Sequence, residues 1–194
     1  MADADALAEK TRDWLIKNPR EVFEPIPFFE SVWSKSKIVT FGERHDDAGQ
    51  RALVAAVVKQ VGGADVGLAL EIEAKYQDDI ARFIKGGGKT PGPQFAQAPV
   101  YSQIFRAAHD TKTEIVAMDA NQSPLESGEL RMSLGGVNRD QHMADAVLSM
   151  IKRKKKVIIL VGMMHAAEAG AGKIPQLGKR LVTELATRSS PSRR

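Results

Sequence analysis

The chain contains no cysteine, which excludes a disulfide framework, thiolate metal ligands, a cysteine nucleophile and lipid attachment at an N-terminal cysteine. Aromatic residues are only 6% of the sequence and do not interleave with basic ones, so a surface that stacks nucleic-acid bases is not expected. No apolar run approaches membrane-spanning length, and residues 1–13 are acidic and alanine-rich, without the basic start and apolar core of a secretory signal. The expectation is a cytoplasmic chain with no membrane span, whose chemistry comes from His, Asp, Glu, Ser or Arg. Phosphate loops, a Gly-x-Ser-x-Gly elbow and a His-Glu-x-x-His helix are all missing, and Gly86-Gly87-Gly88-Lys89 lacks the spacing of a phosphate cradle.

Charge is mild, at a formal +4, and much of it lies in Lys152, Arg153, Lys154, Lys155 and Lys156 and in Arg188, Arg193 and Arg194. The first group closes a predicted helix, where cations complement the negative end of the macrodipole, and a serine-rich basic tail is ordinarily solvated. Nucleic acid is therefore not an expected partner.

With 194 residues, the chain can bury about two-thirds of its unfolded surface in one domain. Four short, continuous apolar runs at 37–41, 66–72, 114–118 and 157–161 suit strands covered on both faces. Helical patterns at 48–61, 76–85, 100–109 and 138–153 alternate with them. This order predicts an α/β fold in three layers, α/β/α, around a mostly parallel sheet. Residues 1–36, with Leu7, Trp14 and Leu15 before Asn18-Pro19 and then Phe28, Phe29 and Trp33, read as a helical lid on the core. Residues 37–186 form the α/β core and 187–194 a flexible tail. The glycine- and proline-rich stretch 86–99 reads as a loop over one end of the sheet that gates a pocket.

Each predicted strand is followed at once by residues of a catalytic type: Glu43-Arg44-His45, Glu71-Ile72-Glu73, Asp119-Ala120-Asn121, and Gly162-Met163-Met164-His165. In a parallel sheet all four carboxyl ends share one edge, where open α/β sheets place ligands. Gly-x-x-His occurs after strands one and four, with glycine allowing a sharp turn and a close approach. Imidazole can take a proton from water, or ligate a metal when neutral. His45, His165, Glu71 and Glu43 are therefore candidate ligands for Mn, Zn or Co as well as candidate acid/base groups. Glu73, Asp119, Asn121 and Arg44 are candidate substrate contacts. Asp46 or Asp47 caps the helix starting near Ala48. Asn138 reads as the cap of the last predicted helix, and Arg139 lies on the face continued by Met143, Val147 and Met150, where its guanidinium can pair with a site carboxylate or hold an anionic group. His109 and His142 follow no strand and read as structural or exposed.

Gly42-Glu43-Arg44-His45-Asp46, Leu70-Glu71-Ile72-Glu73 with Gln77 and Phe83, and Tyr101 through Ala107 lead to Val116-Ala117-Met118-Asp119-Ala120-Asn121. Arg139-Asp140 with Met143-Ala144, and Val161-Gly162-Met163-Met164-His165 with Gly172 and Ile174-Pro175, complete the order. This ordered set resembles the haem-binding uptake family named for ChaN, within a superfamily that includes the Tiki metalloproteases, the TraB/PrgY proteins and the erythromycin esterases. The resemblance implies a three-layer fold and a pocket of His45, His165, Glu43, Glu71 and Arg139. Two functions follow as expectations. The first is hydrolysis of an ester or amide in a small-molecule or peptide substrate, with Glu43, His45, Arg139 and His165 as catalytic groups, directly or through a metal. The second is haem binding, with iron on Tyr76, Tyr101 or a pocket histidine. A binding or regulatory module without turnover, and a homodimer, are compatible with the same residues.

Overall fold

The computed structural model describes residues 25–121, 128–166 and 176–189. Helices α1 (Pro25–Lys35), α2 (Ala48–Val61), α3 (Gln77–Gly86), α4 (Pro99–Thr111), α5 (Gly128–Arg153), α6 (Met163–Ala166) and α7 (Leu177–Ser189) surround strands β1 (Ile38–Glu43), β2 (Val66–Glu73), β3 (Glu114–Asp119) and β4 (Lys156–Gly162). The four strands are all parallel, in the order β1-β4-β2-β3. The last strand in sequence thus sits between the first two.

Alternation along β4 shows why the runs are apolar throughout. Ile158 and Leu160 join Leu68, Leu70 and Ile72 in a core with α2, α3 and α4, whereas Val157, Ile159 and Val161 join Met143, Val147, Met150, Leu177 and Leu181 on the other face. Side chains of a strand point alternately to opposite faces, so a strand covered on both sides needs an apolar residue at each position. The predicted three-layer α/β/α arrangement is what the chain adopts. On the β3 edge, the Gln77 side chain imitates a further strand, donating to the Ile115 carbonyl at 3.1 Å and accepting from the Ala117 N–H at 2.8 Å. That contact blunts an edge that would otherwise pair with another chain.

Two expectations need correction. Helix α5 begins at Gly128, not at Asn138, so Asn138 lies inside a continuous helix and is no cap. Asn-Arg-Asp-Gln imitated a capping box, but Gly135 and Gly136 before it cost only about 1 kcal/mol each in helix propensity, and the helix runs through them. The boundary at 187 falls within α7, whose backbone continues to Ser189. The described part of α1 opens at Pro25. Its Phe29 stacks on Trp33 and Phe41, with centroids 5.2 and 5.9 Å away, so this part of the lid covers the β1 side of the core. The remainder, with Leu7, Trp14 and Leu15, lies outside the described residues, as does the tail from 190.

Among the described residues no helix is long and apolar enough to cross a membrane. The basic run lies at the start of β4, where Arg153 and Lys154 meet Glu114 at 2.6 and 3.0 Å and Lys155 meets Asp65 at 2.7 Å. Those cations are already partnered, at the end of the sheet away from the strand carboxyl ends.

Candidate active site

The carboxyl ends of the strands carry the predicted groups to one crevice. Its two connected lobes, of about 510 and 390 Å³, share Glu43, His45, Glu71 and Arg139. His165 and Gly162 line the smaller lobe, and Glu73, Asp119 and Tyr101 the larger.

On the β1 side, His45 Nδ1 lies 3.0 Å from Glu43 Oε1. Arg51 fixes that carboxylate, donating from Nε to Oε2 at 2.8 Å and from Nη2 to Oε1 at 3.1 Å, and binds the His45 carbonyl at 2.8 Å. A carboxylate can only accept, so Nδ1 carries the hydrogen and Nε2 is the basic nitrogen. Asp47 caps α2 through the Gly49 N–H at 2.8 Å, which sets the tight path from strand to helix. Arg51 lies one turn in, three residues before the buried Val54, so its guanidinium reaches inward along the helix face.

On the other side, His165 Nδ1 lies 2.8 Å from Asp140 Oδ1, an oxygen that also accepts the Leu177 N–H at 3.0 Å. The Asp140 hydrogen bond raises the proton affinity of His165 above the ordinary histidine value, and the charges of Asp140 and Glu71 add to it, while burial and Arg139 oppose it. Arg139 Nη1 stands 3.4 Å from His165 Nε2, a long contact that the two carboxylates outweigh.

Arg139 is the hub between the pairs. It holds Asp119 in a fork at 2.6 and 2.7 Å and gives Nη2 to Glu71 Oε1 at 2.5 Å. These bonds keep the guanidinium charged, with Asp119 the main cause. Glu71 reaches this place because β2 carries one more residue than β3 between Leu70 and Glu73, a bulge of the kind that re-aims side chains at sheet ends. Its other oxygen accepts the Gly162 N–H at 2.6 Å, beyond the point where the β2–β4 ladder stops at Leu70 and Leu160.

The two Gly-x-x-His motifs pack against each other. A Cβ on Gly42 would stand 3.0 Å from Ala166 Cβ and 3.2 Å from Met163 Cα, and one on Gly162 would stand 3.2 Å from His45 Nε2 and 3.3 Å from Glu71 Oε2. Neither glycine has positive φ, so close approach, not a sharp turn, is what requires them.

Other candidates are more peripheral. Arg44 is exposed and paired with Asp46 at 3.0 Å on the rim of the smaller lobe. Glu73 lines the larger lobe and pairs with Lys75, and Asn121 Oδ1 accepts the Lys75 N–H at 2.6 Å, which fixes the turn after β2 instead of facing the crevice. Tyr76 lies under Lys75 outside the lining, and Tyr101 is buried below Arg51, 5.1 Å from its ring centroid. Burial, with the charge of Glu43, raises the Tyr101 phenol well above its ordinary range, so it stays protonated. His109 packs beside Phe83 and His142 is exposed, both away from the site.

Among the described residues no group of three or more His, Asp or Glu side chains is placed to hold an ion. Physically, a guanidinium occupies the centre: Arg139 takes up Glu71 and Asp119, and Arg51 takes up Glu43. Sequence reasoning overlooked Arg51 and Asp140. Both lie on stripes otherwise buried, Asp140 three and four residues before Met143 and Ala144, and a charge on such a stripe was the available signal.

No family model matches the chain, and no curated protein does either. Among solved structures it is similar to the type III effector HopBA1, with a TM-score of 0.52 and 15% identity over 71% of each chain. This likeness shows the fold. Two structures described as bacterial protein toxins have TM-scores of 0.54 and 0.52 at 18% and 20% identity, over 93% and 92% of this chain. The chain spans about 40% of the length of those toxin chains.

Proposed function

We propose that the crevice hydrolyses an ester or amide by acid–base chemistry divided between two histidines. The observation that carries this reading is that each imidazole has its own carboxylate, Glu43 or Asp140, on either side of Arg139. His45 Nε2 takes a proton from water as the water oxygen attacks the carbonyl carbon. Negative charge then develops on the carbonyl oxygen, and Arg139 Nη1, the corner with only the long approach to His165, stabilises it. Protonated His165 gives its Nε2 proton to the departing oxygen or nitrogen. His45 has gained one proton and His165 has lost one, and exchange with solvent restores both.

The resemblance to the ChaN and Tiki group supports four of these residues, Glu43, His45, Arg139 and His165; Asp140 rests on the geometry alone. No step of this mechanism runs through a metal; Glu43, Glu71 and Asp119 are held by Arg51 and Arg139. The haem reading draws no support from Tyr101, since tyrosine ligates iron as the phenolate.

The test is turnover of a panel of esters and amides by protein dialysed against a chelator. We expect hydrolysis that His45→Ala lowers at least a hundredfold, since general-base catalysis contributes about 10²–10⁴-fold. Full activity in that variant would overturn the assignment. A Soret shift at a stoichiometric ratio of haemin would instead favour a carrier.

A further inference from the structure

Charge and apolar surface are distributed unequally in the crevice. Each arginine lining it already holds a carboxylate: Arg44 holds Asp46, Arg51 holds Glu43, and Arg139 holds Asp119 and Glu71. Among the described lining residues, the five carboxylates Glu43, Asp46, Glu71, Glu73 and Asp119 outnumber the four cations, those three guanidinium groups and a protonated His165. A phosphate or carboxylate on a ligand would find only Arg139 Nη1 without a carboxylate, the corner that the hydrolytic reading gives to the carbonyl oxygen, and would face the surplus negative charge.

Apolar surface, by contrast, stands ready on both flanks. Phe95 leaves 49% of its surface exposed in the wall of the larger lobe, beside Pro93 and Ile72, and its ring meets Tyr101 edge-on at 5.5 Å. Met163 and Met164 are 54% and 56% exposed in the wall of the smaller lobe. The residues common to both lobes, Glu43, His45, Glu71 and Arg139, lie between these flanks. Phe95 is held there by the loop after α3, in which Gly87, Gly88 and Gly92 adopt positive φ and a 3₁₀ turn spans Gln94–Gln97. Large apolar side chains are seldom left exposed together beside a polar cleft without a ligand to cover them.

We infer that the substrate is an uncharged acyl compound with an apolar group on each side of the scissile bond, one against Phe95 and the other against Met163 and Met164. This rests on the hydrolytic reading above and adds the substrate class. Methionine suits one flank because its flexible, polarisable side chain adapts to varied shapes. Anionic acyl compounds are rejected by the carboxylate surplus. The reaction adds water across the acyl bond and releases a carboxylic acid with an alcohol or amine, and the new negative charge on the acid favours its release from the same crevice.

The experiment uses 4-methylumbelliferyl acetate, butyrate, octanoate and hemisuccinate as substrates, and the octyl and carboxypropyl ethers of 4-methylumbelliferone as ligands that cannot be hydrolysed. We expect kcat/KM to rise at least tenfold from acetate to octanoate and to fall at least tenfold from butyrate to hemisuccinate. The octyl ether should bind and the carboxypropyl ether should not. Phe95→Ala, and separately Met163→Ala with Met164→Ala, should each weaken octyl ether binding about tenfold; these exposed side chains can be removed without loss of the fold, which a thermal melt checks. Ether binding with no ester turnover would refute the hydrolase and leave the ligand class standing. Turnover with hemisuccinate equal to butyrate, or ether affinity unchanged in both variants, would overturn the inference and leave hydrolysis intact. Failure of the octyl ether to bind would overturn it as well.

Discussion

The two Gly-x-x-His motifs end adjacent parallel strands, yet their histidines live in different surroundings. The His45 side chain is 69% exposed and leans on a carboxylate clamped by an arginine, whereas the His165 side chain is 20% exposed and leans on a carboxylate clamped by a backbone N–H. Equal spacing in sequence thus places two imidazoles at one edge, and their surroundings leave one open to water and the other half-buried, with its proton affinity raised by Asp140. The motif sets location and the surroundings set role.

The largest expected effect separates the histidines by rate. His45→Ala should lower kcat by about 10²–10⁴-fold while changing stability by less than about 0.5 kcal/mol, as for other exposed positions. Substrate turnover and a denaturant melt on the same preparation check both. A variant that lost stability but kept activity would reverse the roles.

Arg139→Ala attacks the element common to both pairs. Removing the guanidinium leaves Glu71 and Asp119 buried and facing each other, and loss of one partner of a buried ion pair costs about 3–5 kcal/mol. Chemical denaturation measures this, and a cost below about 1 kcal/mol would mean that the two halves of the site stand independently.

Asp140→Asn should act on His165 alone. Because the folded proton affinity of His165 is raised, its contribution to stability is complete below the ordinary value of about 6.5. That contribution disappears as pH rises through the higher folded value. The alkaline limb of the rate profile follows the same group, since the acid must be protonated. Asparagine keeps an oxygen for the Leu177 N–H but removes the charge, so the limb should move to lower pH. A histidine Cε1 titration by NMR, with His45 as internal reference, tests it, and an unmoved limb would show that another group is the acid.

The smallest effect is expected from Gly162→Ala. The added methyl would crowd His45 Nε2 and Glu71 Oε2, and His45, being exposed, can swing away, so we expect a several-fold fall in kcat with about 1 kcal/mol lost. Gly42→Ala should instead disturb α6, and with it His165. Equal rate losses from both glycine variants would show that the two sides are mechanically inseparable.

Much of this site was legible because parallel-sheet topology converts sequence position into spatial position. Each apolar run had to end at the same edge, so Glu43, His45, Glu71, Asp119 and His165 could be gathered without coordinates. Arg139 was legible from its helical face. What escaped depended on side-chain reach: Arg51 crosses from α2 to Glu43, and Asp140 spans from α5 to α7. The start of α5 escaped because residues 138–141 imitate a capping box and two glycines stand just before them. Pairing of Glu43, Glu71 and Asp119 with arginines also follows from reach, which residue spacing does not encode.

The Asp140 oxygen shared by His165 and the Leu177 N–H ties proton chemistry to the docking of α7. A chain from which α7 has been peeled, by limited proteolysis or by a competing partner, would keep its sheet and His45 yet lose the constraint that aims the second imidazole. The aim of His165 is thus set only when the thirteen residues of α7 are packed against α5 and α6.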